Sequence, residues 1–149
     1  MQKLRISKAR DVKTPERGTP GSAGLDFFLP QRYGDQVEIL PGQDVLLSSG
    51  VKVDIPKGYA LIAFNKSGVA VKQKLIVGAQ VIDEDYQGVI HIHLINTGSE
   101  RVYLKPEQKI AQFVLLPVAY PEPEVVPIDE LFTESSERGE GGFGSTGDV

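Results

Sequence analysis

Apolar and polar positions along this chain alternate with a period of two, in short runs. Leu4 and Ile6, Val37 and Ile39, Val51, Val53 and Ile55, Ile90, Ile92 and Leu94, and Val102 and Leu104 each line one face, with Lys, Glu, Asp, His or Arg opposite. Successive side chains of a pleated strand point to opposite faces, so each run is predicted to be a strand with one face buried. Tyr59 to Phe64, Leu75 to Ile82 and Ile110 to Leu116 are more continuously apolar and are predicted to be strands buried on both sides. Glycine and proline separate the runs, 16 and 10 of them among 149 residues, and after residues 1–14 the longest stretch free of both is Ile128 to Arg138. Long helices have little room. Many short strands joined by Gly/Pro turns predict an all-β barrel or sandwich.

The pattern changes after Leu116. Pro117, Pro121, Pro123 and Pro127 favour an extended path with few backbone hydrogen bonds, so residues 1–116 are read as the β core and 117–149 as an arm. A polyproline ligand for another protein is the rival reading, but no PxxP lies in a basic context. From Thr133 onward the arm is rich in Ser, Gly and Glu, with Phe143 as its one buriable side chain, too little to offset the entropy of ordering it. Either it is floppy or something outside it orders it.

Composition narrows the function classes. No apolar run approaches the ~18 residues of a membrane span, and the absence of cysteine excludes disulfides and thiolate-held metals. A net charge of -4 argues against sequence-independent nucleic-acid binding, whereas a small anionic ligand needs only a local cluster of cations. Met1 to Lys8 carries no secretory apolar segment, so a cytoplasmic address is expected, the host cytoplasm if the source is viral.

Several segments carry candidate chemistry. Arg138 precedes Gly139-Glu140-Gly141-Gly142-Phe143-Gly144-Ser145-Thr146-Gly147, where glycines let backbone amides approach a phosphate and the hydroxyls and arginine add donors. A linker is the plain alternative, but an aromatic ring among glycines serves no core and suits a nucleobase face. Asp83, between two apolar segments and ahead of Glu84, Asp85 and Tyr86, could be a partly desolvated carboxylate that orients water; a solvated hairpin tip fits Glu84 and Asp85 better. Lys66, Ser67 and Gly68 end a predicted strand with a cation, a hydroxyl and a glycine, and are either a phosphate contact or a turn. Asp26 follows Gly24 and suits a water-mediated metal contact or an Asx-turn. Gln112 lies inside an apolar run, so a ligand or a neighbouring backbone must satisfy its amide. His91 and His93 share a strand face but lack a third metal ligand, and are read as surface or subunit-interface residues.

Taken in order, these segments resemble the five motifs of the trimeric dUTPase family. They are Ala23 to Asp26, Lys66 to Ala70, Gly78 to Gly88, Lys109 to Gln112 and Arg138 to Gly147. The resemblance implies a distorted jelly-roll-like barrel and a homotrimer whose exchanged C-terminal arm closes sites on neighbouring subunits. It implies hydrolysis of dUTP to dUMP and pyrophosphate, assisted by Mg²⁺, which limits uracil incorporation into DNA and supplies dUMP for thymidylate synthesis. By that likeness Asp83 orients water in line with the α-phosphorus, and Asp26 holds a metal-bound or site water. Lys66, Ser67, Gly68, Gln112, Arg138, Ser145 and Thr146 grip phosphates, while the backbone of Gln80, Val81 and Ile82 reads the uracil edge. Tyr86 beneath the sugar excludes a ribose hydroxyl, and Phe143 with Gly144 lids the base.

The chain departs from the family pattern in three places. Lys66 stands where arginine is usual, Gln80 replaces a common glycine, and Gln108 stands where many members have aspartate. Replacing arginine turns a bidentate phosphate grip into a point charge. A dCTP deaminase of the same fold is the competing enzyme reading, and a nucleotide-gated binding or signalling protein the non-enzymatic one.

Overall fold

The computed structural model describes residues 3–142. They fall into two compact units, Met1–Ala119 and Tyr120–Val149. Among its described residues the first is all-β apart from one short helix and a 3-10 turn at Gln31–Tyr33. Its strands are β1 (Arg5–Lys8), β2 (Leu25–Phe28), β3 (Val37–Ile39), β4 (Asp44–Ser48), β5 (Val51–Asp54), β6 (Tyr59–Phe64), β7 (Leu75–Val77), β8 (Val81–Ile82), β9 (His91–Asn96), β10 (Val102–Leu104) and β11 (Lys109–Pro117), with α1 (Ser67–Gln73) between β6 and β7. The second unit contains, among its described residues, one 3-10 turn at Ile128–Glu130. Among the described residues no helix is long and apolar enough to cross a membrane.

Among the described residues all strand pairings are antiparallel, in four small sheets ordered β1-β5, β10-β3, β2-β11-β6-β8 and β4-β9-β7. The two-residue alternation does its expected work on β9, where Ile92 and Leu94 are buried and His91 faces solvent. Phe27 of β2 and Phe113 of β11 meet in the core with ring centroids 4.4 Å apart, tilted at 45°. Each such ring, fully buried, contributes roughly 1.5–3 kcal/mol over an exposed one. The core cluster runs from Val12 to Phe113, with partly buried neighbours from Leu4 to Leu115.

Two sequence expectations are corrected. Leu75 to Ile82 is not one strand: β7 pairs with β9, β8 pairs with β6, and Gly78 to Gln80 carries the chain from one sheet to the other. The segment is also not covered on both sides, since Val81 is 62% exposed. Second, the stretch after Lys66 is a helix of seven residues rather than a bare turn, anchored by the single buried Val69 and closed by Lys74 in the left-handed region at φ 56°.

Candidate active site

Strand register gathers three of the motifs. Gln112 on β11 lies opposite Asp26 on β2 across one edge and opposite Phe64 on β6 across the other, and Lys66 follows β6 by two residues. Lys109 and Gln112 are three apart, which in a regular strand would put them on opposite faces. The register slips between Lys109 and Ala111, so Lys109 pairs with Phe28 while Gln112 pairs with Asp26, and both side chains share the Asp26 face. The Lys109 ammonium accordingly sits 5.8 Å from the Phe28 ring centroid.

Asp26 is buried, and both carboxylate oxygens are engaged: Lys66 Nζ donates to Oδ1 at 2.9 Å, and Lys109 Nζ lies 2.8 Å from Oδ2. An unpaired carboxylate in such a place would be costly, and two ammonium groups provide the compensation. Burial alone pushes the Asp26 carboxyl up, but the hydrogen bonds and charges of Lys109 and Lys66 prevail and hold it below the usual aspartate value. The Asp26 hydrogen bond in turn raises Lys109.

These shifts fix a pH dependence. As acid is added the unfolded chain protonates at Asp26 before the folded one does, so this contribution to stability is complete above the ordinary value of 3.8 and is lost as pH falls below it. At neutral pH Asp26→Asn should cost about 2 kcal/mol, less than breaking a fully buried pair because both lysines reach solvent. Thermal melts of the two proteins should converge below about pH 4. A gap that stays constant in acid would show that the ion pairs do not carry the acid limb.

Gln112 finds its partner in backbone: its Nε2 donates to the Asn65 carbonyl at 2.9 Å. Its other side lies over Gly24, where a Cβ would come 2.7 Å from Gln112 Oε1, so a side chain there would displace the Gln112 amide. Asn65 Oδ1 accepts from the Val77 amide at 2.7 Å, tying this cluster to β7. Ser67 and Gly68 open α1 on the exposed surface. Gln108 Nε2 donates to Gln73 Oε1 at 3.2 Å, and its Oε1 accepts from the Lys105 amide at 3.1 Å.

Asp83 lies elsewhere in the fold. It follows β8, whose Ile82 and Val81 pair with Leu61 and Ile62, while Gln112 pairs with Phe64 further along the same strand. At 3.2–3.4 Å per residue this separates Asp83 from the Gln112 level by roughly 13 Å along β6. The site residues of one chain therefore form two groups, and Asp83 is exposed in this chain rather than partly desolvated. The Tyr86 amide closes the turn on the Asp83 carbonyl at 3.2 Å, and the Tyr86 hydroxyl donates to Val89 at 2.9 Å. Glu84 is not a free hairpin tip, because its carboxylate accepts from the Gly58 amide. With Tyr86 and Gln87 it lines a cleft whose other wall includes Arg5, Ser7 and Lys52.

Arg138 belongs to the second unit, is exposed, and donates from Nε to the Gly141 carbonyl at 2.8 Å. Phe143, Gly144, Ser145 and Thr146 lie outside the described residues. Sequence reasoning assigned no role to Lys109 or Asn65, and read His93 as a surface or subunit-interface residue. Lys109 could have been found from its strand parity only with the bulge in hand. Among the described residues no group of three His, Cys, Asp or Glu is placed to hold a metal ion.

Two lysines meet on one buried aspartate, and an acid-bearing turn lies at the edge of the same sheet of a β protein. Among known proteins, the dUTPase family model matches residues 10–147. The deoxyuridine 5'-triphosphate nucleotidohydrolase of Polynucleobacter asymbioticus is 43% identical over 155 residues, covering 99% of each chain. That of Mus musculus is 38% identical over 95% of this chain and 83% of its own. The dUTPase of Staphylococcus bacteriophage 80alpha, solved with dUPNHPP, superposes with a TM-score of 0.81 at 28% identity, covering 99% of both chains. The chain belongs to the dUTPase family.

Proposed function

We propose that this protein hydrolyses dUTP to dUMP and pyrophosphate, keeping uracil out of DNA and supplying dUMP for thymidylate synthesis. The family match along nearly the whole chain carries this reading, and the cation cluster around Asp26 supports it. Water attacks the α-phosphorus, the bond to the bridging oxygen of the β-phosphate breaks, and pyrophosphate leaves; Asp83 orients the water and takes up its proton. Lys66, Ser67, Gly68 and Gln112, with Arg138, Ser145 and Thr146 of the arm, hold the phosphates. The backbone of Gln80, Val81 and Ile82 reads the uracil edge, Tyr86 packs under the deoxyribose, and Phe143 with Gly144 covers the base.

The donor set does not suit a Mg²⁺ held in a protein cage, because both Asp26 oxygens face ammonium groups and no cluster of three ligating side chains exists among the described residues. It suits a Mg²⁺ that arrives on the triphosphate as part of the substrate.

A homotrimer with exchanged arms completes the reading. The separation between Asp83 and the Lys66–Gln112 cluster supports it, since neighbouring copies could bring the two groups into one site. So do exposed apolar side chains on the first unit, among them Phe64, Val71 and Val81. The test is pyrophosphate release from dUTP, dCTP, UTP and dTTP, with Mg²⁺ or with a chelator. Release from dUTP alone, lost on chelation, is expected; ammonia from dCTP with no pyrophosphate from dUTP would replace this reading by the deaminase.

A further inference from the structure

We propose that His93 is a positioning residue for base recognition, its imidazole bracing the Gly78–Gln80 backbone that leads into Val81, Ile82 and Asp83. The inference rests on the reading that this hairpin faces the uracil. The Ala79 amide donates to His93 Nδ1 at 3.2 Å, so Nδ1 carries the lone pair. The hydrogen is then on Nε2, which lies 2.9 Å from Asp44 Oδ2. One neutral tautomer satisfies both contacts, and Asp44 selects it.

The surrounding backbone is built to the same end. The Gly78 amide donates to the His93 carbonyl at 3.0 Å, and the Gln80 carbonyl accepts from Ala63 at 2.8 Å. The segment is thus tied to β9 on one side and to β6 on the other. A Cβ at Gly78 would come 2.1 Å from His93 Nδ1, so glycine here is the condition for seating the ring against the chain. Among the described residues Asp44 on β4 is the charged group that faces the imidazole; residues 78–80 carry no charge, and His91, two positions back on β9, lines a different cleft with Arg10 and Arg32. A base edge read by backbone donors and acceptors is sensitive to small displacements of that backbone, which is the property His93 controls.

Three variants test this. His93→Phe keeps a ring against Gly78 but offers no acceptor; it should raise the KM for dUTP about tenfold with kcat within about twofold, and speed hydrogen exchange at the Ala79 amide. His93→Asn places Oδ1 near the position of Nδ1 and should return KM to within about threefold of wild type. Asp44→Ala frees the tautomer and should raise KM about threefold, which carries the test if the phenylalanine variant does not fold. Wild-type KM in both His93→Phe and Asp44→Ala, unchanged Ala79 exchange, or loss of kcat together with melting temperature that asparagine fails to rescue would each overturn the proposal. A wild-type chain that releases no pyrophosphate from dUTP would instead refute the function, and the Ala79 exchange measurement would still judge the brace.

Discussion

Asp83→Asn should lower turnover of dUTP by about 10²–10⁴-fold while dUTP still binds within a few-fold of wild type. The amide has nearly the carboxylate's shape and can still contact a water, but it cannot accept the proton as the water attacks. The substitution should leave the fold alone, because Asp83 is exposed at the end of β8 and its backbone carbonyl, which closes the turn with Tyr86, is unchanged. Such surface changes are usually within about 0.5 kcal/mol. Removing a negative charge beside a polyphosphate also argues against weaker binding. Pyrophosphate release and equilibrium dialysis with dUTP measure the two halves separately. Near-normal turnover would take Asp83 out of the water-orienting role, and a parallel collapse of binding would make it a structural residue.

Truncation after Glu137 should be comparably damaging to turnover, with a loss of about 10²-fold or more, while the melting temperature hardly moves. The deleted segment holds Arg138, Phe143, Ser145 and Thr146, the cation, ring and hydroxyls assigned to the triphosphate and base. Among the described residues the buried core cluster of the β unit ends at Phe113 and its partly buried rim at Leu115. Stability and activity should therefore separate cleanly. Phe143→Ala should reproduce part of the loss, since stacking on one base is worth roughly 1–3 kcal/mol. Unchanged kinetics in the truncated chain would make the Gly-rich segment a passive linker.

Period-two alternation located the half-buried strands because it depends only on neighbours in the chain. Ile92 and Leu94 are buried with His91 outside, and Val51 and Val53 with Lys52 and Asp54 outside. The reading of a continuous apolar run as one buried strand failed at Leu75 to Ile82, where Gly78 must sit beneath His93, a contact set by tertiary structure. The helix at Ser67–Gln73 was not legible, because Gly68 and the β-branched Val69 and Val71 are poor helix formers and the buried Val69 anchors it. The site shows the same division. Motif order nominated Asp26, Lys66 and Gln112, but their shared cluster depends on strand register, and Lys109 joins it through a bulge that no alternation rule would place.

The shared grip of Lys66 and Lys109 on Asp26 also bears on binding. A loose lysine gives up about 2 kcal/mol of rotamer freedom when it fastens on a ligand, and here much of that is surrendered during folding instead. Lys109 also feels the charge of Glu16, so the two bases face two acids, and what the cluster offers an anion is their fixed placement rather than a surplus of positive charge.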